Sequence, residues 1–350
     1  MRTRLSLFVI AASLAFDASA QQPVPVAPPA AEQGRVLDTA VVRAPGPGMW
    51  KVRRGENTLW ILGTVSALPA GMVWNAAPMR RVVASADEVI SEPSVMVDAD
   101  IGFFGKLALL PSLIGVRSLP DDKTLRDVVP AAQYARWTVL KQRHLGRNDS
   151  IERWRPIFAA AELYDKAIQR HGLTGRDVVR GAVADAVKAR GLKPVAPVAK
   201  VKVANPKKVL QEFKAADFAD VECFTKTLDR VERDLPALSA RADAWARGDV
   251  PALGTLPNPD LGDVCERAML GGQFAAKYGI DTLESQARAK WIAEAESSLA
   301  RNRTTFATLP MNDVLQPGGL VAALAAKGYV VEAPDAPTAS VETTPPAAAR

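Results

Sequence analysis

Histidine is almost missing from this chain, with only His144 and His171 in 350 residues, and cysteine is as scarce, with only Cys223 and Cys265. Two cysteines with two histidines make a structural zinc site a poor reading. There is no Cys-x-x-Cys pair for thiol redox chemistry, no phosphate-cradling glycine loop, and no Gly-x-Ser-x-Gly turn to present a serine nucleophile. Past residue 16 no long uncharged apolar stretch occurs, so no membrane-spanning helix is expected there. Aromatic residues make up only 6% of the chain. They are also absent from its most basic stretch. Between Asp185 and Glu212 stand Lys188, Arg190, Lys193, Lys200, Lys202, Lys207 and Lys208 with no acid among them. The interleaved Val, Ala and Pro offer no base-stacking platform, so the net charge of +6 does not point to nucleic acid. The segment reads as a solvated loop, with contact to an anionic envelope surface as the alternative.

What is present begins at the N-terminus. Arg2 and Arg4 precede an apolar run from Leu5 to Phe16, followed by Ala18-Ser19-Ala20. This is the pattern of a secretory signal peptide over residues 1–20, cleaved after Ala20, and it places the mature chain in the periplasm or outside the cell. Residues 21–47 and 333–350 are rich in Pro and Ala without apolar periodicity and read as disordered spacers. In an oxidising compartment Cys223 and Cys265 are expected to form a bridge, which for a loop of this size stabilises by roughly 4 kcal/mol. Two separate buried thiols are the alternative.

Within residues 48–332 the periodicities predict an α/β domain: a mixed sheet with flanking helices and a large helical insertion. Met49–Arg54 and Thr58–Gly63 form a hairpin about Gly55-Glu56-Asn57. Pro78–Ala86 is a helix and Glu88–Glu92 the next strand. From Asp100 to about Arg190 the pattern is helical, with Trp137 and Leu163 among its apolar positions. Val221, Phe224, Leu228, Val231, Leu235, Leu238, Ala242 and Trp245 recur every three or four residues, a buried helix face that Pro236 should interrupt near Asp234. Leu283, Ala287, Trp291, Ala295 and Leu299 make a second stripe. A strand at Thr304–Leu309, a helix at Gly319–Lys327 closed by Gly328, and a strand at Tyr329–Glu332 end the domain as a βαβ unit.

Three blocks carry a family resemblance: MWKVRRGENTLWILGTVSALPAG, ADEVISEPS and GGLVAALAAKGYVVE. In this order, with helices and the cysteine pair between them, they resemble the TraB/GumN family, which includes the Tiki-like metalloproteases. The resemblance implies a Gly-x-x-His motif after the early strand, a second after the late strand, and a glutamate ending the strand between them, together holding a water-activating divalent cation. Here Ser66 stands at the first histidine position in Gly63-Thr64-Val65-Ser66. Asp313 stands at the second, counted back from Gly319, and Glu92 is retained. Serine stays protonated near neutral pH and is a poor ligand. Glu92 and Asp313 alone suit at most a hard cation carrying several waters. His144 and His171 lie beside Arg143, Arg147 and Arg170 and are expected at the surface, remote from any such site.

Ser66, Glu92 and Asp313 are therefore the candidate site residues. No cofactor is expected, a divalent metal being the one that the resemblance leaves open. The reading favoured is a catalytically degenerate periplasmic protein that binds a peptide, glycan or protein partner. The alternatives are a metal-dependent peptidase working through Glu92 and Asp313, and an envelope-surface protein acting through its basic segment.

Overall fold

The computed structural model describes residues 46–334 except 100, 102, 176–177, 217, 219, 257–263, 266–267 and 270–271. The expected signal peptide, all but the last two residues of the N-terminal spacer and nearly all of the C-terminal one lie outside the described residues. The hairpin forms as expected: β1 (Met49–Arg54) and β2 (Asn57–Thr64) pair antiparallel, with Arg54 opposite Asn57. Gly55, at φ +59°, supplies the left-handed backbone that so tight a turn needs. After the short β3 (Leu68–Pro69), helix α1 (Ala77–Ser85) leads to β4 (Glu88–Ile90) and on to β5 (Ser94–Ala99).

Helices then dominate. They are α2 (Phe103–Leu113), α3 (Leu125–Val128), α4 (Ala131–His144), α5 (Pro156–Arg170) and, after β6 (Leu173–Thr174), α6 (Val178–Arg190). Strand β7 (Val198–Val203) precedes α7 (Pro206–Ala215), α8 (Val221–Arg233), α9 (Leu235–Arg247), α10 (Val250–Thr255), α11 (Gln273–Tyr278) and α12 (Leu283–Arg301). The chain returns to the sheet through β8 (Thr304–Pro310), then α13 (Met311–Leu315), α14 (Leu320–Ala326) and β9 (Val330–Glu332).

The main sheet runs β4-β8-β2-β1-β9, with β4, β8 and β2 mutually parallel and β1 antiparallel to both its neighbours. Strands β4 and β8 are direct neighbours although residues 91–303 separate them, so the whole helical region is an insertion between two paired strands. Buried Ile61, Phe306 and Val83 pack with Trp291, Ala295 and Leu299 of α12 in the core of this sheet. The insertion keeps a core of its own, in which Trp137 meets Phe224 at 5.4 Å between ring centroids. Pro236 separates α8 from α9 as its missing N–H requires, and the expected stripe is buried from Phe224 to Trp245, with Val221 partly buried. Cys223 and Cys265 are bridged, with Cα atoms 4.7 Å apart, and no free cysteine remains.

The end of α12 is tied to the sheet by a polar network on the carboxylate of Glu88, which accepts from Ser298 Oγ at 2.6 Å, Asn302 Nδ2 at 2.9 Å and Arg301. Buried hydroxyls need partners, and this network supplies them while fixing the start of β4.

Two expectations need correction. The basic stretch is not simply a solvated loop: Val198–Val203 is a strand paired in parallel with β5, and Pro206 opens a helix capped by the Asn205 side chain. Its lysines are nevertheless exposed. His144 is not a surface residue but 5% exposed, its ring 6.1 Å from that of the exposed His171.

Candidate functional site

In a parallel sheet the side chains just beyond the carboxyl ends of neighbouring strands converge on one crevice. Here β2, β4 and β8 end together, and Thr64, Glu92 and Thr308 meet there in a cleft of about 290 Å³. One wall is the face of α6 that carries Arg180, Val183 and Val187; Pro93 and Pro194 form part of its apolar lining. The volume is at the small end of the roughly 300–1,000 Å³ usual for ligand pockets, enough for a side chain or two rather than a folded partner.

Glu92 is the charged centre of this cleft. Thr64 Oγ1 donates to its Oε1 at 2.8 Å, and the Arg180 guanidinium lies 3.5 Å from its Oε2. Both carboxylate oxygens are thus engaged from within the protein. The Glu92 side chain is 21% exposed while that of Arg180 is 72% exposed, so the arginine forms the solvent-facing lip and the glutamate the floor. Such a pair offers acceptor and donor groups side by side.

Asp313 occupies a different cleft, of about 520 Å³, lined by Glu284, Arg288 and Gly319 among others. It sits in the first turn of α13, where a carboxylate is favoured by the helix dipole, and its Oδ1 is hydrogen-bonded to Arg288 Nη1. The second guanidinium nitrogen of Arg288 donates to the Gly318 carbonyl at 3.0 Å, which clamps the turn between α13 and α14 to α12. Ser66 is exposed beyond the end of β2 and is in neither lining. Of the three candidate residues, then, none shares a cleft with another. The residue that faces Glu92 is Thr64, two positions before Ser66.

The residues present do not fit the divalent metal that the family resemblance implies. Among the described residues no three or more His, Cys, Asp or Glu side chains group to hold an ion. At each of the two acidic positions a guanidinium stands against the carboxylate, where a cation would have to bind. The two histidines are in the insertion, beside one another, and line neither cleft.

Sequence reasoning missed Thr64 and Arg180. Alternation along β2 puts Thr64 on the side of the sheet opposite its neighbour Gly63, and its place in the early block was the available clue. Arg180 had none, because its proximity to Glu92 arises only when α6 packs against α1 beside the sheet. No helix among the described residues is long and apolar enough to cross a membrane. No curated protein and no solved structure matches the chain significantly. The sequence profile of the TraB/PrgY/gumN family matches residues 48–333.

Proposed function

The chain belongs to the TraB/PrgY/gumN family, and from that premise we propose that it is an exported binding protein whose family site has been converted from catalysis to recognition. The observation that carries this reading is the engagement of both Glu92 oxygens by Thr64 and Arg180, with Asp313 held separately by Arg288. A carboxylate that already answers a hydroxyl and a guanidinium is a fixed recognition element. It is not a vacant ligand, and a water-activating centre needs its ion held by several such ligands at once.

Location in the periplasm is supported by the basic-apolar-small pattern of residues 1–20 and by the Cys223–Cys265 bridge, since disulfides persist in oxidising compartments. The cleft suits a short segment with both a donor and an acceptor beside apolar surface, as in a peptide or an amino sugar. A test is binding of the purified chain to peptide and glycan arrays, repeated with Glu92→Ala and Arg180→Ala. The expected outcome is a specific ligand class whose affinity drops at least tenfold in each variant, since a hydrogen bond to a charged group contributes about 1.5–3 kcal/mol. Unchanged binding in both variants would remove the cleft from the proposal.

A further inference from the structure

The β5–β7 pair and the helices that follow it form a surface that the cleft reading does not use. Because β5 and β7 are parallel and adjacent, both chains leave the pair at the same end. There β5 leads into α2 and β7 into α7, and the two helices pack against each other. The sheet buries Ala199 toward a small core with Leu283 and Ala287 of α12. By alternation the opposite face carries Met96 directly across from Lys200, and Asp98 across from Lys202.

This surface combines two properties that seldom coexist without a reason. Its apolar side chains are far out of the core: Leu110 is 53%, Leu113 49% and Ile114 76% exposed, and Met96 is 47% exposed. Leu110 and Leu113 stand three residues apart on α2 and Ile114 follows directly, and exposed hydrophobic groups clustered in this way mark interaction or membrane surfaces. Its charge is mainly basic: Lys200, Lys202 and Lys207 are exposed, and no described residue forms an ion pair with them. Asp98 is the one acid on the open face of the pair. Lysines on flexible stems beside protruding aliphatic groups match an anionic lipid surface, where the ammonium groups meet headgroup phosphates and the aliphatic groups enter the acyl boundary.

We propose that the β5–β7 face, with the end of α2, is a docking surface for anionic phospholipid, so that the chain lies on the membrane without spanning it. The proposal is independent of what the Glu92 cleft binds. It accounts for a basic segment that interleaves no aromatics, and for an apolar helix end left outside the core.

The test is co-sedimentation of the full chain, recovered from the cell envelope fraction in whatever processed form it carries there, with two sets of vesicles. One contains phosphatidylglycerol with phosphatidylethanolamine, the other phosphatidylcholine alone. Two double variants accompany it, Lys200→Glu with Lys202→Glu and Leu113→Ser with Ile114→Ser, each checked for an unchanged thermal melt. Every altered side chain is exposed, so neither variant removes core packing, and the melt reads any cost of a second carboxylate opposite Asp98. The expected result is salt-sensitive binding to the phosphatidylglycerol vesicles only, reduced at least tenfold in the charge variant and also reduced in the serine variant. No binding by the unaltered chain would overturn the proposal. Binding that both variants retain in full would overturn it equally, by assigning the interaction to another segment such as the apolar run at residues 5–16. Binding to both vesicle types without salt dependence would also contradict it.

Discussion

Histidine 144 shows how a single side chain makes stability depend on pH. It is buried at the end of α4, its Nδ1 is buried without a hydrogen-bond partner among the described residues, and Arg170 Nε donates to its backbone carbonyl. Burial, reinforced by the nearby charges of His171, Arg143 and Arg170, holds its imidazole below the ordinary histidine range. The unfolded chain takes up a proton near pH ~6.5, whereas the folded chain must be driven lower before it does. Stability is therefore full above that range and is lost as pH falls through it toward the folded value. Denaturant unfolding at pH 7.5 and pH 5.5 should show a loss on acidification that is clearly smaller in His144→Leu. An equal loss in both would show that this imidazole is not the cause. At the same scale, Thr64 and Arg180 show why a site can be half visible: Glu92 was legible as a chemical group, but the partners that decide its role are joined to it only through space.

Among the elements, those with a strong internal period were legible before any coordinates. The hairpin of β1 and β2, the α12 stripe, the break at Pro236 and the closing β8-helix-β9 unit all form within a residue or two of expectation. Strands β5 and β7 escaped notice for a physical reason. Most of β5 is exposed, so no alternation of buried and exposed residues marks it, and lysines in β7 resemble a loop until pairing with β5 is seen. The approach of α13 to α14 is equally invisible in sequence. A Cβ on Gly319 would sit 2.4 Å from the Asp313 carbonyl oxygen and 2.9 Å from that of Gln316. These are backbone atoms that cannot swing aside. Gly319→Ala should therefore destabilise the fold by about 1–3 kcal/mol, the usual cost of overpacking, read as a lower denaturation midpoint with an unchanged slope. An unaltered midpoint would mean that this turn relaxes freely.

For the molecule as a whole, the insertion between β4 and β8 builds a second core while the sheet keeps a cleft at its strand ends. On the function proposed above, fold and chemistry have separated, since a scaffold can persist after the residues at its site have changed their task. The central claim is that Glu92 recognises a ligand and does not help hold a catalytic metal. The most direct test is to purify the chain under metal-replete conditions, measure bound metal, and assay a peptide library with manganese, cobalt or zinc, with and without chelator. The account predicts substoichiometric metal and no chelator-sensitive cleavage. Stoichiometric metal with chelator-sensitive cleavage that Glu92→Ala abolishes would contradict it.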